Sequence, residues 1–408
     1  MHLSIHTILA DLADRPLFSA MAETVPASVS MYVLELGART VRVGIAGEES
    51  PEFLIPAVVG SPKASAASPL TAALASPKIE VGQSALTKSA VLSLSWPLSS
   101  SFPSGSQLEH IEALISSAIN SEPAPSVALV IRRSSLSNDL IDVLLAAVQN
   151  SLAVDSVALL DSLSCSFHDP LLPIDCTRSA TGVALCVGHE ETVACPVVDG
   201  EPLSDATVHS GVAGQLLTEQ LGRHILTEQP VNFLESTSSM EALRDMKERC
   251  CALSAHDGDE NNRAPLSQPA EYSLPDGQVV CLHSEHGDSS ELLFDPRPAG
   301  FKAEDALHRL IETALKRVQS ETGHKRAAAI ASCIVLSGGT SKISGLRERL
   351  QTELMKLPLL TDELKVSNIE VYLPSEPENA GWRGASSTCK HCERMTRFRR
   401  SSSVSLRQ

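Results

Sequence analysis

Two stretches far apart in the chain share one design, and that repetition constrains the fold more than any other feature. YVLELGARTVRVGIAG (32–47) and GVALCVGHEETVACPVVDG (182–200) each set a short polar turn between two apolar runs. In the first, Val33, Leu34, Leu36, Val41, Val43 and Ile45 bracket a turn from Gly37 to Thr40. In the second, GVALCVG and TVACPVV flank HEE. Apolar runs of this length joined by a short turn predict β-hairpins of mostly buried strands. Apolar spacing predicts helices in LEHIEALISSAI, NDLIDVLLAAVQNSL, VAGQLLTEQLGRHI, SMEALRDMKERCCAL and AEDALHRLIETALKRVQSETG. SVALVI reads as a buried strand and IEVYLP as a short one. Alternating strands and helices with a recurring hairpin imply an α/β protein of two related halves.

Composition narrows the function classes. A chain of 408 residues, 43% of them hydrophobic, can bury a full core in more than one domain. Its net charge of −16, with no long basic stripe before the C-terminus, argues against direct nucleic-acid binding. The most apolar stretch, IDVLLAAVQNSLAVDSVALLDSL, is broken by Gln149, Asn150, Asp155 and Asp161, so membrane insertion is not expected. The N-terminus lacks the pattern of a signal peptide. Ten scattered cysteines, several in apolar runs (Cys186, Cys195, Cys281, Cys333), read as reduced thiols of a cytosolic or nuclear protein.

Three segments stand outside the pattern. Residues 1–30 and the basic, serine-rich 388–408 are expected to be disordered, and the Ser/Ala/Pro-rich 61–78 to be a mobile excursion. Within the tail, CKHC (389–392) has metal-type spacing, but no second pair lies nearby and no metal is expected there. Cys186 and His189 fall on opposite faces of a hairpin and have no evident third orienting group, so a thiol–imidazole catalyst is not expected either.

IVLSGGTSKISGLRERLQTEL (334–354) is the most informative segment. A buried strand ends in Ser337-Gly338-Gly339-Thr340, and a helix begins near Gly345. Glycines at a strand end let a ligand approach the backbone, and helix N-termini favour anions. Alone, this is a weak nucleotide signal. The segment nevertheless resembles the actin family, and the resemblance continues in order along the chain. LELGARTVRVGIAGEESPEFLIPAVVGSP is similar to the family's first phosphate hairpin and the run after it. EVGQSALTKSAVLSLSWPLSSSFPSGSQLEHI resembles the stretch leading into the first long helix. GVALCVGHEETVACPVVDG aligns without gaps with the second phosphate hairpin. LRDMKERCC resembles the helix that contacts the adenosine, and YSLPDGQVVCLHSEHGDSSELLFDP a fourth-subdomain segment. Several ordered motifs are far more specific than one. The resemblance spans 31–386 and implies the actin-like fold shared with Hsp70 and the sugar kinases: two α/β domains around a nucleotide cleft. It sets domain I at 31–200, domain II at 201–375 and a return to domain I at 376–387.

The resemblance also implies site residues, position by position. Nucleotide contacts fall at Glu35, Gly37, Arg42, Gly188, Lys247, Glu248, Gly338, Gly339 and Thr340. Glu35 replaces an aspartate. Ala38 and Arg39 replace a serine and a glycine. Arg42 replaces the phosphate-binding lysine and is still suited to phosphate. Cys186 replaces the metal-side aspartate, and His189 and Glu190 replace an aspartate and a glycine. Val193 replaces the histidine that helps place the attacking water. The glutamine that orients this water falls at Leu160, or at Asp161 with a slip of one residue. A further lysine on the nucleoside side falls at Glu378. Hydrolysis of this kind needs carboxylates for hydrated Mg²⁺ and polar groups for the water. No catalytic or metal-ligating residue is therefore assigned, and a pseudo-ATPase is expected. Two readings stay open: ATP or ADP with Mg²⁺ held as a static structural ligand, or GGT and LRDMKERCC kept for packing alone.

Two departures bear on assembly. The segment 61–78 replaces a loop that helps join actin subunits and has no aromatic anchor. After Trp382-Arg383-Gly384-Ala385-Ser386 the family's closing helices are not recognisable. Both argue against a homofilament. The pattern of losses implies a non-polymerising subunit of a cytoplasmic, cytoskeletal complex, with other actin-related proteins of a dynactin-type filament as partners. The alternatives are a nuclear actin-related subunit of a chromatin-remodelling complex and a working ATPase with rearranged residues.

Overall fold

A computed structural model describes residues 31–63, 79–99, 102, 107–119, 127–133, 136–152, 154, 156–173, 179–229, 232–253, 270–274 and 277–390. The expected N-terminal extension, positions 64–78 of the expected excursion and the tail from 391 lie outside the described residues. The chain divides into two compact units, Met1–Asp169 with Gly381–Gln408, and Pro170–Ala380.

The first unit opens with the predicted hairpin, β1 (Met31–Leu36) and β2 (Thr40–Ile45), followed by β3 (Phe53–Pro56). A small antiparallel sheet comes next, from β4 (Val59–Pro62), β5 (Glu80–Val81) and β6 (Leu92–Ser95), with α1 (Gln83–Thr87) between the last two. Residues 61–62, expected in the excursion, thus end a strand. Then α2 (Gln107–Ala118), β7 (Val127–Arg132), α3 (Asn138–Leu152), β8 (Ser156–Asp161) and the short α4 (Ser162–Ser166) follow. The main sheet runs β3-β2-β1-β7-β8, with β1 antiparallel to β2 and parallel to β7. Side chains alternate across β1 as the pleat requires. Tyr32, Leu34 and Leu36 join the core beneath α2 and α3, whereas Met31 and Val33 pack with Leu129, Ile131 and Trp382 on the other face. Glu35 shares the parity of Met31 and Val33.

The second unit repeats the plan. Its hairpin is β9 (Gly182–Val187) and β10 (Thr192–Val198), extended by β11 (Glu201–Pro202) and β12 (Val208–Ser210). Helices α5 (Gly214–Glu228) and α6 (Thr237–Cys250), strands β13 (Ala270–Ser273) and β14 (Val279–Leu282), and helices α7 (Glu285–Glu291), α8 (Leu307–Thr322) and α9 (His324–Ala331) lead to β15 (Cys333–Ser337). Then α10 (Leu346–Leu354) and β16 (Glu370–Tyr372) complete the unit, and α11 (Ala380–Lys390) begins at its end. The sheet runs β11-β10-β9-β15-β16, with β9 antiparallel to β10 and parallel to β15. Order and direction match the first sheet strand for strand. The expected two related halves are therefore visible in the topology.

This pairing corrects the expected domain boundary. The second hairpin was assigned to the end of domain I, at residue 200, but its strand β9 hydrogen-bonds to β15 and belongs to the second unit, which starts at Pro170. The return falls at Gly381 rather than 376, because Trp382 and Ala385 are buried in the core of the first unit. Residues 388–390, assigned to a disordered tail, continue α11.

Candidate nucleotide-contacting residues

Both hairpins close in the same way. The Gly37 N–H donates to the Thr40 carbonyl at 3.1 Å, and the Gly188 N–H to the Glu191 carbonyl at 2.9 Å. A Cβ added at Gly37 or at Gly188 would lie 2.9 Å from that acceptor, so both turns are shaped around glycine.

In the first unit, Glu35 and Arg42 are direct cross-strand partners. Arg42 Nη1 lies 3.6 Å from Glu35 Oε2, and both side chains are largely buried. Burial pushes the Glu35 carboxyl up from the usual carboxylate range, against the pull of Arg42 and then Arg383. Arg39, at the turn, lies with its guanidinium carbon 4.5 Å from the centre of the Trp96 ring. Its carbonyl accepts the Ala57 N–H at 2.9 Å, which fixes the backbone as well. The slip left open by sequence has a geometric answer for both residues. Leu160 is buried in the core with Val33 and Trp382. Asp161 caps α4, its Oδ1 accepting the N–H groups of Leu163 at 3.0 Å and Ser164 at 3.4 Å.

In the second unit, four elements converge on the second turn. The Gly188 carbonyl accepts both the Gly214 N–H, at 3.0 Å, and the Thr340 hydroxyl, at 2.8 Å. The ammonium of Lys247, a buried side chain on α6, donates to the Gly214 carbonyl at 3.0 Å. Gly338 sits at φ 88°, and an added Cβ would lie 2.4 Å from the Val187 carbonyl oxygen. Gly188, Lys247, Gly338, Gly339 and Thr340 are thus brought together past the C-terminal ends of the neighbouring strands β9 and β15. Glu248 is not directed inward in the same way: half exposed, it accepts from Arg244 Nη1 at 2.6 Å. Glu378 pairs with Lys342 of the glycine turn at 2.8 Å. Val193 is buried in β10, in register with Cys186 across the hairpin.

Sequence reasoning missed Gly214, whose N–H donates to Gly188 and whose carbonyl accepts from Lys247. Its signal was a glycine opening an amphipathic run, VAGQLLTEQL, shortly after the hairpin. It also missed Trp96 as the partner of Arg39.

The family model described as Actin matches residues 27–393. The chain belongs to the actin family. The residues described above were chosen by their likeness to that family's nucleotide-contacting positions. Within the second unit, the hairpin's Cys186 thiol does not fit Mg²⁺, an ion that takes oxygen ligands in near-octahedral geometry. Among the described residues no group of three or more His, Cys, Asp or Glu side chains is placed to hold a metal. No described helix is long and apolar enough to cross a membrane.

Proposed function

We propose that this actin-family chain is a divergent actin-related protein that serves as a non-polymerising structural subunit of a cytoskeletal complex, not as a working ATPase. One observation carries the loss of hydrolysis. The positions that hold and orient the attacking water in the family are occupied by Leu160 or Asp161, and by Val193. Leu160 and Val193 are committed to the core, and Asp161 Oδ1 to a helix cap. Leu160 and Val193 carry no polar side-chain group with which to orient water, and Asp161 brings a carboxylate in place of the family's amide.

What remains is shape. An actin-like body with an altered subunit-joining segment can match one end of a filament while offering no surface for the next subunit. The partner that suits this is a short filament of other actin-related proteins, as in dynactin, where such a subunit caps the pointed end and supports dynein-based transport. ATP or ADP, where retained, would be a static ligand contacted by Lys247, Gly338, Gly339 and Thr340. A cytoplasmic, cytoskeletal location belongs to the same reading.

The test is purification from its own cells at native level through an N-terminal tag. Co-sedimentation with dynactin subunits supports the reading. Recovery with helicase-type remodelling ATPases and histones overturns it in favour of a nuclear complex. Mg²⁺-dependent ATP turnover by the pure protein overturns the pseudo-enzyme.

A further inference from the structure

The basic end of the chain leaves the first unit beside a loop of exposed carboxylates. We propose that residues 391–408 fold back over the loop between β2 and β3, with arginines of this segment facing Glu48, Glu49 and Glu52, and Phe398 covering Leu54 on β3. The contact is independent of which complex the chain joins.

The loop and the last helix are fastened together. The Ser386 side chain of α11 is buried, and its hydroxyl accepts the Gly47 N–H at 2.9 Å and donates to the Glu48 carbonyl at 2.7 Å. The Gly47 N–H also reaches the Ser386 carbonyl at 3.2 Å. Trp382, one turn earlier, packs on the same ground: a Cβ added at Gly44 would lie 2.7 Å from its Cζ2 and 2.9 Å from the Glu52 nitrogen. The helix runs on to Lys390, roughly 6 Å of rise beyond Ser386. From there an extended chain spans up to about 3.6 Å per residue. Arg394, Arg397, Arg399 and Arg400 can therefore all reach Glu48, Glu49 and Glu52.

Charge and exposure select this occupant. Glu48, Glu49 and Glu52 are exposed, and among the described residues nothing pairs with their carboxylates. Arg42 and Arg383, in the same unit, are engaged by Glu35 and Asp169. Residues 391–408 carry five arginines and one glutamate, in a chain of net charge −16. Leu54 is 53% exposed on β3, the edge strand of the sheet. Its register partner is Arg42, which in turn opposes Glu35, so Leu54 lies on the sheet face that carries Trp382. Met395 and Phe398, set among the arginines, supply the apolar match. A single exposed ion pair contributes little. Tethering, however, places the segment over the loop at an effective concentration in the millimolar range, so several weak pairs suffice to hold it there. Such a contact needs no regular secondary structure and is screened by salt.

The experiment uses the full-length protein with Phe398 replaced by the photoreactive p-benzoylphenylalanine. It is illuminated at low protein concentration in about 0.05 M and about 1 M salt, and the products are mapped by peptide mass spectrometry. The expected product is a cross-link within one chain to residues 48–54. Its yield should fall roughly 3- to 100-fold at the higher salt, where the screening length is about 3 Å and three exposed ion pairs are lost. Reversing the loop with Glu48→Lys, Glu49→Lys and Glu52→Lys should lower the yield by a similar factor at the lower salt. Reversing the segment as well, with Arg394→Glu, Arg397→Glu and Arg400→Glu, should restore it. Cross-links to other parts of the chain, cross-links between two chains, or no cross-link at all overturn the proposal. So does a yield that neither salt nor charge reversal changes. Should the reversed variants fail to fold, the salt dependence of the cross-link in the otherwise unaltered chain still decides it.

Discussion

Arg383 closes a two-armed salt bridge on Asp169 in the interior of the first unit, with Nε 3.0 Å from Oδ1 and Nη2 2.7 Å from Oδ2. The side chains are 3% and 0% exposed. Asp169 is the last residue before the chain leaves this unit, and Arg383 stands just after it re-enters at Gly381. One ion pair therefore ties the two ends of the excursion together. Close packing reinforces it, since a Cβ added at Gly384 would lie 1.8 Å from the Cys165 carbonyl oxygen.

Breaking such a pair leaves a buried charge unmatched, which costs about 3–5 kcal/mol. Asp169→Asn and Arg383→Met should each lower the thermal midpoint markedly. The double variant should lose less than the two single losses combined, because it strands no charge. Additive losses in calorimetry would show that the two side chains act independently.

Glu35→Gln is expected to stabilise the protein at neutral pH. Burial raises the Glu35 pKa in the folded state. Below the unfolded value near 4.5 the carboxyl is protonated in both states and imposes no penalty. As pH rises through the folded value, the native state must ionise a buried group and stability is lost. Glutamine removes that loss and keeps a polar side chain of the same size opposite Arg42. Melting curves should show a gain at pH 7.5 that vanishes at pH 4. An equal gain at both values would assign the effect to packing instead.

His308 has the opposite sign and lies in the other unit. It stacks on Phe294, 6.1 Å between ring centres, and its pKa is pulled down to about 4 by burial, which outweighs the attraction of Glu353 and Glu312. Between the unfolded value of 6.5 and about 4, the unfolded chain takes up a proton that the folded chain refuses. Acidification through this window should cost about 3 kcal/mol at 1.36 kcal/mol per unit. Glu312 and Glu353, whose pKa values lie below 4.5 because their ion-paired hydrogen bonds outweigh burial, add their own losses only below that pH. His308→Gln should therefore flatten the stability profile between pH 6.5 and 4.5 and leave the steeper acid limb in place. An unchanged profile across that interval would rule out His308 as its source.

The local elements were legible because their signals are local. Asn138–Leu152 matches the predicted helix end to end, and the glycine turn leads into a helix at Leu346, directly after Gly345. The domain boundary was not legible in the same way. The hairpin at 182–200 was read as closing domain I, although its likeness to the first hairpin was the sign that it opens a second copy of the sheet. Strand pairing with β15 is long-range, and no spacing within the hairpin encodes it. The same limit hid Asp169–Arg383, Arg39–Trp96 and the role of Gly214. Each joins residues whose partners sit on other elements, so composition and periodicity around either one are silent. Substitutions such as Cys186 are visible in the sequence, but the direction of the Asp161 side chain depends on its rotamer, which turns Oδ1 to the α4 cap.

Gly338 and Gly214 separate two uses of glycine at the second turn. Gly338 occupies φ 88°, a region that costs other residues about 1–3 kcal/mol, and a side chain there would run into the Val187 backbone. Gly214 has no such dihedral, but an added Cβ would lie 2.5 Å from Thr340 Oγ1 and 3.2 Å from Lys247 Nζ. The first obstacle is rigid backbone at 2.4 Å; the nearest atom of the second belongs to a side chain, with the Gly188 carbonyl oxygen farther off at 3.2 Å. Gly338→Ala should therefore destabilise the fold outright, with a lower melting midpoint and poor recovery. Gly214→Ala should cost less stability and displace Thr340 and Lys247, lowering any affinity for nucleoside by more than its effect on melting. Comparing melting midpoints with adenosine and ADP titrations for both variants tests this. Equal destabilisation by the two would place Gly214 in the scaffold alone.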